Sequence, residues 1–283
     1  MKLSNRSTLI AALMLCAVRV TAQVTVTSTL GTPTAFYPNL NQAFQNIVTG
    51  THQGEITVTI TANTIELSTC QLGPSTGFPS NYSSITVKPL GPRTVTGSLP
   101  AGFPLIRLDG ADNVTFDGLN TGSNSLTFVN PVTASLSGTC TFELRNDATN
   151  NTITRCTIQG SSTVPVGTPG GAVVFGAGVT TGNDNNVISD CTIGPVGANL
   201  PTKAMFLGGS SNTDPGVANS GNLVLDCRIF DYYSATQSSV GIEVVSGTVN
   251  STIQGNRFYQ TAARTMTATG IFHRAIMLNN ANG

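Results

Sequence analysis

The chain has 283 residues, of which 9% are charged, and its 13 basic and 13 acidic side chains balance to a formal net charge of zero. A neutral chain has no electrostatic footprint for nucleic acid, so we expect no nucleic-acid partner. Hydrophobic residues make up 39% of the sequence, enough for a core, whereas the two histidines and the absence of tryptophan leave few residues for metal sites or aromatic sugar platforms. We expect no cofactor other than calcium.

Residues 1–22 have the pattern of a secretory signal peptide. Two basic residues precede an apolar run from Leu9 to Val18, and Val20-Thr21-Ala22 forms a small-residue cleavage site. The apolar run is far shorter than the ~20 residues that span a bilayer, so we expect no membrane insertion. The sequence predicts a cleaved product, secreted or at the cell surface, whose folded domain comprises residues 23–283.

The segment "YPNLNQAFQNI" has the spacing of an amphipathic helix. Leu40, Ala43, Phe44 and Ile47 recur at positions i, i+3, i+4 and i+7. This pattern predicts a helix within residues 35–50, either as a cap on the domain or as an ordinary surface helix.

A short sequence pattern with a turn at its centre, here called the repeated phrase, recurs from residue 112 onward. Its copies begin at Asp112, Asn151, Asn186, Asn222 and Ser251, which are 39, 35, 36 and 29 residues apart. Apolar residues stand two and seven positions after each start, as Ile153 and Ile158 do after Asn151. Such a fixed period predicts a repeat architecture.

A second phrase precedes each copy and alternates apolar with variable residues before it reaches Gly, Asn or Asp. Its apolar pairs are Ile106 with Leu108, Phe142 with Leu144, Val173 with Phe175, Met205 with Leu207, Ile242 with Val244, and Ile276 with Leu278. This alternation is typical of a short strand that runs into a turn. Two short strands per repeat, followed by a variable loop, predict the rungs of a β-solenoid that is regular from about residue 104 to residue 283.

The rungs "LDGADNVTFDGL" and "NNTITRCTI" resemble those of the right-handed parallel β-helix, the pectate-lyase-like superfold. The resemblance covers residues 35–283 and is greatest to secreted bacterial proteins that often carry a C-terminal sorting domain. It implies an all-β, right-handed parallel β-helix (β-solenoid) with a short N-terminal capping helix, in which residues 55–67 and 83–98 form the first, less regular rungs. The last phrase, "AIMLNNANG", opens another rung, so we expect a truncated chain with further C-terminal modules in the full-length protein.

Three cysteines occupy the same position of successive repeats. Cys156, Cys191 and Cys227 should face the interior, stacked about 4.8 Å apart in a ladder that Asp117 or Asn256 continues. Buried free cysteine behaves as a small hydrophobe, which favours a structural role over a disulfide or a metal site. Cys70 and Cys140 lie outside the ladder, and an exported protein could pair them.

The resemblance does not extend to the enzyme signatures of the superfold. No "NTD" motif is followed by "DD", "GHG" and "RIK" as in polygalacturonases, and the "RxPxxR" motif of pectate lyases is absent. The outward positions of the first strand read Arg107, Glu143, Val174, Phe206, Glu243 and Met277. Of these, Glu143, Phe206 and Glu243 are candidate ligand-binding residues, because substrate grooves of the superfold commonly lie on an equivalent face. Arg107 and Glu143 should form an exposed ion pair.

Carboxylates supply the remaining candidates. Glu143 and Glu243 would be about 14 Å apart, whereas glycosidase carboxylates are roughly 5–9.5 Å apart. Asp190 and Asp226, the residues before two ladder cysteines, would be about 5 Å apart and are the catalytic candidates. Aspartate also tolerates the left-handed turn of that corner, which is the favoured interpretation. Asp184 and Asp214, in variable loops, are the candidate calcium ligands.

We therefore expect a non-catalytic, secreted or cell-surface scaffold for adhesion or for contact with extracellular polysaccharide or cell-surface glycan. One alternative is a polysaccharide-degrading enzyme of the same fold, either a lyase or a glycoside hydrolase. The other is a purely structural repeat module without a ligand, which the sequence does not distinguish from the adhesive scaffold.

Overall fold

A computed structural model describes residues 22–210 and 215–279. Residues 1–21 of the predicted signal peptide and the candidate calcium ligand Asp214 lie outside the described residues.

The described chain winds into a parallel β-solenoid of seven turns, which confirms the predicted all-β fold. Before the first turn come strands β1 (Val24–Gly31) and β2 (Thr34–Tyr37) and helix α1 (Leu40–Val48). Turn 1 comprises β3 (His52–Ile60), β4 (Thr64–Glu66) and β5 (Cys70–Leu72), and turn 2 comprises β6 (Tyr82–Pro89), β7 (Pro92–Gly97) and β8 (Pro104–Asp109). Turn 3 comprises β9 (Val114–Asp117), β10 (Ser125–Asn130) and β11 (Cys140–Arg145), turn 4 comprises β12 (Thr152–Thr154), β13 (Thr157–Gly160) and β14 (Val173–Phe175), and turn 5 comprises β15 (Val187–Ser189), β16 (Thr192–Pro195) and β17 (Lys203–Leu207). Turn 6 comprises β19 (Leu223–Leu225), β20 (Arg228–Phe230) and β21 (Ser239–Val245), and turn 7 comprises β23 (Thr252–Gln254), β24 (Arg257–Tyr259) and β25 (His273–Asn279). A 3-10 helix (Pro215–Val217) and the short paired strands β18 (Asn219–Ser220) and β22 (Thr248–Val249) lie between turns.

Each turn contributes one strand to each of three sheets. The first sheet has the order β2-β1-β3-β6-β9-β12-β15-β19-β23, the second runs from β4 to β24, and the third runs from β5 to β25. The expectation of two strands per repeat was wrong, because a residue in the left-handed conformation divides the repeated phrase into two strands. These residues are Arg155, Asp190 and Asp226, with φ of 55°, 53° and 53°. Three-stranded turns also begin at β3, well before residue 104.

Strand pairing confirms most of the predicted register. Ile153 pairs with Ile188 and Ile188 with Val224, and every predicted inward pair of the third sheet is in register. The first step was wrong: Ile153 pairs with Phe116, 37 residues before it, not with Val114. Asp112 is therefore not equivalent to Asn151. Its carboxylate instead accepts hydrogen bonds from the backbone and hydroxyl of Thr149.

Helix α1, which the apolar spacing predicted, covers one end of the interior, as the resemblance implied. Leu40, Ala43, Phe44 and Ile47 are fully buried, and Phe44 packs edge-on against Phe116 at 6.4 Å between ring centroids. The buried carboxylate of Glu66 accepts hydrogen bonds from the backbone nitrogens of Leu40 and Asn41, at 3.0 and 2.9 Å. This charge stabilises the N-terminus of the helix, whose first backbone N–H groups have no partners within the helix.

The three ladder cysteines are buried and free. Asn256 continues the ladder: its Oδ1 accepts from the backbone nitrogen of Cys227 at 2.9 Å. Asp117 does not continue it, because Asp117 faces outward and binds Arg155. Cys70 belongs to the main core and Cys140 to a separate apolar cluster with Val174 and Phe206; both are free.

Candidate functional site

The outer face of the third sheet is divided into a covered half and an open half. In the covered half, the loop of residues 161–171, here called the strap, lies over the sheet. Phe206 is 4% exposed and Glu243 is 0% exposed, so the strap covers these two outward positions. Glu143 lies in the open half, and the three candidate ligand-binding residues do not share one surface.

A buried ion pair holds the strap. Lys203 Nζ donates to the carbonyl oxygens of Pro165 and Thr168, at 2.9 and 2.5 Å, and to Glu243 Oε2 at 2.9 Å. Glu243 Oε1 accepts from the backbone nitrogen of Gly167 at 2.7 Å. Burial lowers the pKa of Lys203, against the opposing effect of Glu243. Our sequence analysis missed Lys203, although a lysine opening the otherwise apolar strand "KAMFL" was a signal for a buried charge.

In the open half, Arg107 Nε donates to Glu143 Oε2 at 2.6 Å. The predicted ion pair is thus confirmed, but the two side chains are only 15% and 12% exposed. Arg107 lines two adjoining depressions of about 450 and 340 Å³, together here called the open groove. Beside it, the carboxylate of Asp109 accepts hydrogen bonds from Gln71, Arg145 and Asn146.

Asp190 and Asp226 come together at the corner between the first and second sheets. Their left-handed backbone confirms the turn role favoured from the sequence. Both are exposed, and their carboxylates form no hydrogen bond or ion pair with the residues that the structure describes. With Asn120, Thr192 and Arg228 they line a polar depression of about 190 Å³.

Guanidinium and aromatic groups adjoin this depression on the second sheet. Arg228 pairs in register with Arg257; both are exposed, and neither forms an ion pair within the described ranges. Phe230 stacks on Tyr259 at 5.5 Å and 14°, and Arg257 lies 5.1 Å from the Tyr259 ring centroid. The corner patch is defined by Asp190, Asp226, Arg228, Arg257 and Tyr259.

The carboxylate of Asp184, a candidate calcium ligand, hydrogen-bonds within the fold. It accepts a hydrogen bond from the backbone nitrogen of Ser220 at 2.7 Å. Burial, together with the nearby charge of Asp147, raises its pKa. Residues 22–210 and 215–279 contain no group of three or more His, Cys, Asp or Glu side chains that could hold a metal ion.

No protein-family model matches the chain, and no curated protein and no solved structure is significantly similar to it. None of the described helices is long and apolar enough to cross a membrane. Function is therefore inferred from the fold and the geometry of these surfaces.

Proposed function

We propose that this protein is a secreted or cell-surface β-helix of the pectate-lyase-like type that binds extracellular polysaccharide or cell-surface glycan without cleaving it. The corner patch carries this proposal. Its free carboxylates can accept hydrogen bonds from sugar hydroxyls, its guanidinium groups can donate to sugar oxygens, and the Tyr259 ring offers an apolar surface with a polar tip. This combination of a few polar groups and an aromatic ring is typical of small-ligand sites.

The environment of the two aspartates favours binding over hydrolysis. A glycosidase needs one carboxyl group that stays protonated in an apolar pocket and another that stays ionised. Asp190 and Asp226 instead share one exposed polar depression. The second candidate function, a polysaccharide lyase or glycoside hydrolase, is favoured by their one-turn separation, about 5 Å, which is close to that of retaining enzymes.

Purified residues 23–283 should bind a glycan on an array of acidic and neutral polysaccharides, with and without calcium, and release no reducing or unsaturated ends. Asp226→Asn and Arg257→Gln should each weaken binding at least tenfold, since each removes from the corner patch a charged group that hydrogen-bonds to the ligand. Asparagine tolerates the left-handed turn, so the fold is kept.

The matched control is Arg274→Gln, because Arg274 also lies over an aromatic ring, that of Phe272, but outside the patch. Absence of binding to any glycan would refute the proposal. Cleavage that Asp190→Asn abolishes would establish the enzyme instead.

A further inference from the structure

The strap shows how the outer face of the third sheet holds a polypeptide turn: Thr168 N donates to Pro165 O at 3.2 Å, and Gly167 has a φ of 89°. It runs across the turns, from Glu243 on β21 to Gly138 beside β11, whose backbone nitrogen donates to Pro169 O at 2.9 Å. Lys203 donates to two strap carbonyls, three residues apart, and Glu243 accepts the N–H of Gly167 between them. A cation–carboxylate pair thus recognises the backbone of the strap, not its side chains.

The open groove carries the same set of groups. Arg107 uses Nε for Glu143 Oε2, which leaves Nη1 and Nη2 as donors and Glu143 Oε1 as an acceptor. These three atoms form no hydrogen bond with any residue in the described part of the chain. The pair therefore offers two donors and one acceptor, as the Lys203–Glu243 pair offers to the strap.

The two halves are continuous. Pro169 of the strap lines the 340 Å³ depression together with Arg107 and Glu143, and Arg107 leads on to the 450 Å³ depression. Leu67 and Phe103, both exposed, form an apolar wall there. From Gln71 to Glu143 the open face spans two turn spacings, about 10 Å, which exceeds the distance of under about 7 Å between the end Cα atoms of a β-turn.

We propose that the open groove binds a proline- and glycine-containing β-turn of a partner protein. Arg107 donates to two of its backbone carbonyls, and Glu143 accepts one backbone N–H. Proline and glycine suit this mode because they favour tight turns, like the turn whose carbonyl groups accept from Lys203 in the strap segment "TVPVGTPG". This site is separate from the corner patch, so either proposal can fail alone.

The probe is an acetylated and amidated peptide of residues 163–170, titrated calorimetrically into the full chain. Wild-type protein should bind it saturably, and Arg107→Gln and Glu143→Gln should each weaken binding at least tenfold. Arg107→Lys should bind the peptide with an affinity within threefold of wild type, because Lys203 donates the corresponding hydrogen bonds under the strap. The matched control is Arg155→Gln, which breaks an equally short ion pair, to Asp117 at 2.6 Å, outside the groove.

A second peptide, with sarcosine in place of Gly167, lacks the N–H that Glu143 would accept and should bind at least tenfold more weakly. No saturable binding at millimolar peptide would overturn the proposal, as would equal binding to Arg107→Gln. Amide shifts confined to protein residues 163–170 would also overturn it, since they would indicate exchange with the strap.

Discussion

Two side chains, Lys203 and Glu243, decide how much of the third sheet meets solvent. Both are fully buried, and the cation and the carboxylate are satisfied by each other and by the strap backbone. The lowered pKa of Lys203 indicates that desolvation of the ammonium group outweighs its attraction to Glu243. Such a pair adds little net stability, but the loss of one partner leaves a buried charge without compensation.

Lys203→Met and Glu243→Leu should therefore each lower the free energy of unfolding by about 3–5 kcal/mol. The double variant should lose clearly less than the sum, because it leaves no unpaired charge. Urea denaturation of the four proteins measures this coupling, and additive losses would contradict it. Arg155→Met, which breaks an exposed pair, should cost under about 1 kcal/mol.

At the scale of the element, buried asparagines tie successive turns together. Asn186 Oδ1 accepts from both the backbone and the side-chain nitrogen of Asn151, and Asn186 Nδ2 donates to Ala148 O and to Asn222 Oδ1. Asn183 and Asn219 form a second such ladder. Three starting residues of the repeated phrase, Asn151, Asn186 and Asn222, thus satisfy the buried backbone where the chain passes from the third sheet to the first.

Asn186→Ala should lower the free energy of unfolding by about 3 kcal/mol or more, because it leaves several buried donors and acceptors without partners. Asn199→Ala, at an exposed asparagine without a side-chain hydrogen bond, should change it by less than about 0.5 kcal/mol. Equal denaturation midpoints for the two variants would show that the ladder does not stabilise the coil.

At the scale of the whole molecule, the long interior holds many weakly acidic groups in their neutral form. Burial raises the pKa of the thiols of Cys70, Cys140 and Cys156 and of the Tyr82 hydroxyl, and it raises the pKa of Tyr232 to about 12. When the pH exceeds the ordinary pKa, 9.0 for a thiol and 10.0 for a tyrosine, the unfolded chain has released these protons and the folded chain still holds them. The folded state then binds more protons than the unfolded state, so stability falls as pH rises.

The urea midpoint should therefore be constant between pH 7.5 and 8.5 and fall steadily from pH 9 to pH 11. Each such group lowers the free energy of unfolding by about 1.4 kcal/mol per pH unit once it is ionised in the unfolded chain. Lys203 acts in the opposite direction, because its lowered pKa makes the folded state release its proton first. An increase in the urea midpoint as the pH is raised above 9 would contradict the prediction.

The inward-facing pattern was largely readable from the repeats. Met205 pairs with Ile242 and Leu207 with Val244 as predicted, because each inward position recurs once per turn. The same logic placed the cysteine ladder and the left-handed aspartates. It failed at Asp112, whose chemical likeness to the ladder asparagines hid a shift of two residues.

A repeat constrains inward positions because every turn must present an apolar residue to the same interior, and stacked strands transmit the register from one turn to the next. The exposure of outward positions to solvent does not repeat from turn to turn. Phe206 and Glu243 are buried, and Glu143 stays partly exposed, because a single loop crosses some turns and not others. Its path depends on Lys203 and Glu243, which are 40 residues apart along the chain and meet only when two turns stack.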